Sequence, residues 1–524
     1  MSIALALWSK DAAVFIMGEL LLATLGRGID RAAPIRTFRT FPGVSLFLAL
    51  IIGSIASGCD DDSSIATRNA QTDRTLQLEG VMSTQYADAG GADSGSLARP
   101  ESAAAFSFPV SVLPGKRHLV DGSGKPFIIQ GDAAWSLIAQ LTRDQVDLYL
   151  DDRRARGFNT VVVELIEHRF STNAPANAYG QRPFLVTGDY STPNEEYFAH
   201  ADWVLRRASE KGLLVALTPS YTGYGGGSEG WYQEMVANGP SKLRQYGKFL
   251  GSRYRDFTNI LWVEGGDYNP PDRTLVRAIA EGIEGLDPGA LHTAHCAPET
   301  SALEYWHGES WLKVNSVYTY GPVFSAALKE FARPETMPFI LIESAYENEH
   351  NATTQRLRTQ AYHALLAGAA GQIFGNNPLW HFDGPGLYPA PVSWQQAMGG
   401  KGTQSMSHLH DLFAALPWWL LQPDISNTFL IGGLGSGQDR AVAARAADRS
   451  FAIVYMPSNR RITLDMNGLA GPLVTARWYD PANGGVSNAN GSPFPATGSL
   501  GFQPQAAKNS DGFEDWVLVL ESRS

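Results

Sequence analysis

Cysteine is nearly absent: the 524 residues contain two, Cys59 and Cys296. That excludes a disulfide framework and a cysteine-rich metal site. Histidine spacing supplies no metal site either. No His-Glu-x-x-His occurs, and His292 and His295 lie in one expected strand at odd spacing, which sends them to opposite faces. Positive charge is in short supply, with 41 Lys and Arg against 52 Asp and Glu and a net charge of −11. Nucleic acid, whose phosphates demand a basic surface, is therefore not an expected partner. No Gly-x-Gly-x-x-Gly follows an expected strand, so no dinucleotide site is implied and no cofactor is expected. What is present is core material: 44% of residues are hydrophobic and 18% charged, which excludes global disorder. The length exceeds one ordinary domain but leaves room for a barrel of 250 residues or more.

The first long apolar run, Phe41 to Gly58, follows Arg31, Arg36 and Arg39 and ends at Ala-Ser-Gly-Cys59, with Asp60-Asp-Asp62 beyond it. Positive charge, an apolar stretch and small residues make an export segment over 1–58. The cysteine after the small residues resembles a bacterial lipobox, with Cys59 as the lipidation site; an ordinary signal peptide or a short anchor is the alternative. The expectation is an exported lipoprotein, held in the periplasm or at the cell surface by a lipid anchor alone. Residues 59–105, rich in Asp, Ser, Ala, Gly and Thr, read as a disordered tether.

From Phe127 onward, strand-like and helix-like segments alternate, as βα units do. Expected strands are Phe127–Asp132, Phe158–Glu164, Leu213–Thr218, Ile260–Val263, Leu291–His295, Val314–Tyr318, Phe339–Ile342 and Gln372–Phe374. Helices are expected at Thr142–Gly157, where Thr142 and Gln145 make a capping-box pattern, and at Pro193–Lys211, Pro240–Asp256, Arg273–Gly285, Thr353–Ala370 and Ser405–Leu416. Eight strands over roughly 290 residues fit a (β/α)8 barrel, spanning 106–420. An open doubly wound sheet is the alternative. After Pro417-Trp-Trp419 the pattern changes to short alternating strands split by turns, so 421–524 is expected to be a small β-sandwich.

Two strands, Asn259-Ile-Leu-Trp-Val-Glu-Gly-Gly-Asp267 and Pro338-Phe-Ile-Leu-Ile-Glu343, run straight into carboxylates. In a (β/α)8 barrel these strand ends form the catalytic face. Paired carboxylates there are what glycoside hydrolysis requires, one protonating the leaving oxygen and one attacking the anomeric carbon. A structural reading, in which each merely caps a strand or pairs with Arg, is the alternative for either one alone. Glu264 competes with Asp267 for the acid/base role. Asp132, Trp135, Glu164, His295, Tyr318 and Trp380 end or follow other strands and are candidate sugar contacts. The Gly-rich Tyr221–Gly227 lacks the Lys and Ser/Thr of a phosphate loop and reads as a lid or rim.

Four segments in this order, Asn177–Phe184, Trp262–Asp267, Trp311–Asn315 and Glu343–Glu347, resemble the apiosidase-like glycoside hydrolases. Ala476–Pro481 and Asp515–Val519 resemble the β-domain, labelled collagen-binding, that often follows them. The resemblance covers about 110–523. It implies a retaining hydrolase of a poly- or oligosaccharide, with Asp267 as general acid/base and Glu343 as nucleophile. Family members commonly carry Trp-Gly after strand three and Gln-Ser-Gly-His after strand six. Here those places read Ser220-Tyr-Thr and Ser316–Tyr320, so the resemblance carries the reaction rather than apiose as the sugar. A non-catalytic surface protein that binds carbohydrate or collagen is the competing class. A peptidase lacks both a zinc motif and a nucleophile elbow.

Overall fold

The structure is a computed structural model that describes residues 106–523. The expected export segment, Cys59 and the expected tether lie outside the described residues. Eight strands form one parallel sheet: β1 (Ile129–Ala133), β2 (Thr160–Glu164), β3 (Leu214–Thr218), β4 (Ile260–Gly265), β5 (Leu291–His295), β6 (Asn315–Tyr318), β7 (Phe339–Glu343) and β8 (Gly371–Phe374). Their order runs β5-β4-β3-β2-β1-β8-β7-β6. The gap between β5 and β6 is bridged where Val314 N–H donates to His292 O at 3.1 Å, which closes the sheet into a barrel. The open doubly wound alternative is thereby excluded.

The helices α1 (Arg143–Ala155), α2 (Glu195–Glu210), α3 (Tyr232–Tyr254), α4 (Arg273–Glu284), α5 (Val323–Phe331), α6 (Thr354–Leu366) and α7 (Lys401–Ala414) wrap it. Local chemistry sets several of their ends. Thr142 and Gln145 form the expected capping box of α1, and Asn194 caps α2 by accepting from Glu196 N–H. The third helix begins earlier than the sequence suggests, at Tyr232, because Gly239 at φ +70° makes a break that Pro240 then restarts.

Alternation along each strand divides the side chains between two cores. Ile129, Val162, Leu214, Leu261, Val263, Ile340, Ile342 and Ile373 fill the barrel interior. Val161, Val163, Val215 and Trp262 face outward against the helices instead. Each fully buried aliphatic contributes about 1.5–3 kcal/mol over an exposed one, so this parity is strongly enforced.

The C-terminal part is a β-sandwich. An antiparallel sheet containing Val442–Ala446, Phe451–Met456, Leu473–Tyr479 and Trp516–Arg523 packs over a three-stranded one of Leu430–Gly432, Ile462–Asp465 and Ser499–Phe502. Its outer face joins the barrel through a common core, in which Phe451, Ile453, Tyr455, Val517 and Val519 meet Leu357, Leu365, Met406 and Leu409 of α6 and α7. At the centre Arg358, fully buried, donates to both oxygens of Asp515 at 2.7 and 2.9 Å. Asn509 and Tyr455 also donate to Asp515, and Tyr455 stacks on Tyr362 with ring centroids 4.6 Å apart.

Candidate active site

The C-terminal ends of the strands open into a cavity of about 630 Å³ whose lining includes Trp135, Glu164, Tyr221, Asp267, Tyr318, Tyr320, Glu343, Tyr346, Glu349 and Trp380. Five of its lining residues are carboxylic (Glu229 is the fifth with Glu164, Asp267, Glu343 and Glu349), and no Lys or Arg is among them.

Strict alternation would not bring Glu343 here. Ile340 and Ile342 point into the barrel while Phe339 and Leu341 face the helices, so Glu343 should follow Leu341 outward. A bulge prevents this. Leu341 is opposite Val317, but Glu343 is already opposite Tyr318, so β7 carries one extra residue and its last side chain is turned into the mouth. Asp267 arrives differently. Gly265, Gly266 and Asp267 all have positive φ, at +84°, +139° and +52°, and the chain folds back over the end of β4. A Cβ on Gly266 would overlap the Tyr221 ring, so glycine is needed for that ring to pack there.

His295 joins the two. Its Nδ1 accepts from the Asp267 backbone N–H at 3.0 Å, which fixes the tautomer, so Nε2 carries the proton and donates to Glu343 Oε2 at 2.8 Å. Tyr320 donates to Glu343 Oε1 at 3.2 Å, and Tyr318 hydrogen-bonds the Tyr320 hydroxyl at 3.0 Å. Tyr221 donates to Asp267 Oδ2 at 2.6 Å, while Oδ1 is buried without a partner. Atoms of Asp267, His295 and Glu343 lie within 4.8 Å of one another. By residue type that trio could hold a cation, but both imidazole nitrogens are committed, leaving no lone pair to ligate one.

Burial foremost, then the charge of Asp267, raises the Glu343 carboxyl above its ordinary range, while the His295 and Tyr320 hydrogen bonds pull it back. Burial, with the charges of Glu167 and Asp267, lifts Glu164 well above the usual carboxylate value. Glu349 is raised to about 7, by burial first and also by the charge of Glu343, against the hydrogen bond it accepts from Trp380.

Of the residues singled out from the sequence, Glu164, Asp267, Tyr318, Glu343, Trp135 and Trp380 line the cavity, and His295 lies beneath its catalytic pair. Trp135 donates to Tyr346 at 3.0 Å and packs edge-on to His295. Two expectations need correcting. Asp132 is on the helix-facing parity of β1, where buried Arg153 and Tyr149 donate to it at 3.0 and 2.7 Å. Glu264 likewise points outward from β4 and hydrogen-bonds His292 at 3.0 Å. Neither lines the cavity. His292 and His295 do take opposite faces, as their spacing requires. Tyr346 and Glu349 were not singled out. They belong to the loop after β7, where Asn348, His350 and Asn351 all have positive φ, and no local pattern announces such a path. Tyr221 belongs to the Gly-rich rim segment, whose Gly223 packs backbone to backbone against Gly230 beyond it.

A parallel barrel with a carboxylate-rich, aromatic-walled cavity at its C-terminal mouth defines the class of barrel glycoside hydrolases. Residues 114–420 match the family described as "Apiosidase-like, catalytic domain", and the chain belongs to that family. Residues 423–521 match "Putative collagen-binding domain of a collagenase". A solved structure described as a glycoside hydrolase is 25% identical, with a TM-score of 0.69 over 79% of this chain and 97% of that one. A glycoside hydrolase family 5 structure from Bacteroides vulgatus is 24% identical, with a TM-score of 0.70 over 79% of this chain and 94% of that one. Comparison with curated proteins gave no match. The chain is thus a glycoside hydrolase, and the non-catalytic reading gives way.

Proposed function

We propose that the chain hydrolyses a glycosidic bond of an oligo- or polysaccharide with retention of anomeric configuration, using Asp267 as acid/base and Glu343 as nucleophile. The observation that carries this is the convergence of their carboxylates, with His295, within 4.8 Å at the cavity wall. Retaining enzymes hold the two groups about 5–5.5 Å apart, whereas an inverting enzyme needs room for a water between them. Glu343 attacks the anomeric carbon while a proton passes from Asp267 to the glycosidic oxygen, which leaves as an alcohol. The sugar is then joined to Glu343 as an ester. Asp267, now a carboxylate, takes a proton from a water whose oxygen attacks the same carbon, and Glu343 departs ionised. The unpartnered Asp267 Oδ1 is the free oxygen for these transfers, since Oδ2 is occupied by Tyr221.

Proton NMR of the first anomer released from an aryl glycoside tests the assignment. The starting configuration should appear before mutarotation, and the opposite anomer would overturn it. Asp267→Ala and Glu343→Ala should each abolish turnover with little change in unfolding temperature. Export as a lipoprotein through Cys59 belongs to the same reading, supported by the apolar run and small residues before it. Incorporation of labelled palmitate that is absent from Cys59→Ala tests it, and unlabelled wild-type protein would argue against it.

A further inference from the structure

Among the described residues, every strand-end carboxylate of the barrel has an assigned partner except one. Asp132 pairs with Arg153, Glu264 with His292, Asp267 with Tyr221, and Glu343 with His295 and Tyr320. Glu164 has none. It ends β2 on the inward parity, lines the cavity, and is 2% exposed, with Oε2 buried and unpartnered. Its neighbour Glu167 makes the contrast sharp. Glu167 accepts from Ser136 and from the backbone N–H groups of His168, Arg169 and Phe170, so its charge is satisfied within the fold.

A buried polar group without a partner costs about 1–3 kcal/mol. A carboxyl kept for structural reasons would be paired as Asp132 and Glu264 are. Glu164 instead faces the cavity with Asp267, among whose lining residues there is no Lys or Arg. We propose that Glu164 is a specificity-determining residue that binds a hydroxyl of the glycosyl unit seated between Asp267 and Glu343, so the substrate must present a free, uncharged hydroxyl at that position. This rests on the glycosidase reading above. Burial and the surrounding carboxylates favour the uncharged carboxyl, which both accepts a hydrogen bond and donates one. An anionic substituent at that place would meet carboxylates and no lining Lys or Arg.

The test uses the whole protein with Glu164→Met and Glu164→Gln. Methionine is close in length and removes the unsatisfied group, so its unfolding midpoint should hold or rise by about 1–3 °C. A fall of several degrees would mean a structural role and overturn the proposal. On a 4-nitrophenyl glycoside that the wild type cleaves, kcat/KM of Glu164→Met should drop about 10- to 10³-fold. Glutamine, which also accepts and donates, should recover most of that loss. Against the series of monodeoxy versions of the same glycoside, the wild type should reject one member by a similar factor, and Glu164→Met should no longer do so. Hydrolysis by the wild type with an unchanged deoxy preference in Glu164→Met would remove the Glu164 assignment alone. No hydrolysis of any glycoside by the wild type would remove the glycosidase reading and this role with it.

Discussion

Replacing Gly266 with alanine tests how the turn after β4 serves the chemistry. Gly266 adopts φ +139°, a region nearly closed to residues with a Cβ, and the new methyl would overlap the Tyr221 ring. Backbone strain of this kind costs about 1–3 kcal/mol. Relief requires either the turn or the ring to move, and each movement separates the Tyr221 hydroxyl from Asp267 Oδ2, now 2.6 Å away. A hydrogen bond to a charged group is worth about 1.5–3 kcal/mol net, so kcat/KM should fall about 10- to 150-fold on an aryl glycoside. Tyr221→Phe removes the same hydrogen bond without backbone strain. It should lose activity to a similar degree and stability far less. Because both changes act through one contact, the double variant should be little worse in activity than either single one. Full multiplication of the two losses would refute the argument, as would a Gly266→Ala enzyme that melts and turns over like the wild type.

Three other outcomes follow from the geometry. Tyr320→Phe removes a donor that favours the ionised form of Glu343, so the acidic limb of kcat/KM against pH should move upward; a downward move would contradict the assignment. Glu349, raised from the ordinary 4.5 to about 7 in the folded protein, binds its proton more tightly there than in the unfolded chain. Its contribution to stability is complete below pH 4.5 and lost as pH rises toward about 7. Unfolding temperatures of Glu349→Gln across that range should therefore show a shallower decline than wild type, and parallel curves would count against the burial argument. Arg358→Ala strands Asp515 in the core between the two modules and should cost about 3–5 kcal/mol in denaturant unfolding, with activity retained under native conditions; a loss below about 1 kcal/mol would show that the pair is not desolvated.

Much of this fold is legible in the chain because a parallel barrel writes itself as buried runs separated by capped helices. Strand β5 and the capping box at Thr142 are of this kind, since each depends on a few adjacent residues. Parity within a strand is equally local, and it explains the divergence of His292 and His295. The same rule, applied to the whole strand, would have turned Asp132 and Glu264 away from the mouth; judging them by position at a strand end alone placed them wrongly. Glu343 is the opposite case. Its identity is plain in the sequence, yet alternation would hide it behind the sheet, and the bulge that redirects it arises from pairing with β6 rather than from any residue signal. The loop carrying Tyr346 and Glu349 was opaque because its positive-φ residues are asparagine and histidine rather than glycine.

The common core of α6, α7 and the sandwich sheet has a consequence for how such enzymes are built. Cutting the chain near 420 would bare the aliphatic face formed by Leu357, Leu365, Met406 and Leu409, and the matching face around Ile453 and Val519. The buried Arg358–Asp515 pair at the same junction would be split as well, so each half would also lose a matched polar partner that a foreign neighbour does not supply. The β-sandwich is thus welded masonry on the flank of the hydrolase, and any new appendage would be grafted more readily onto an exposed loop than at this junction.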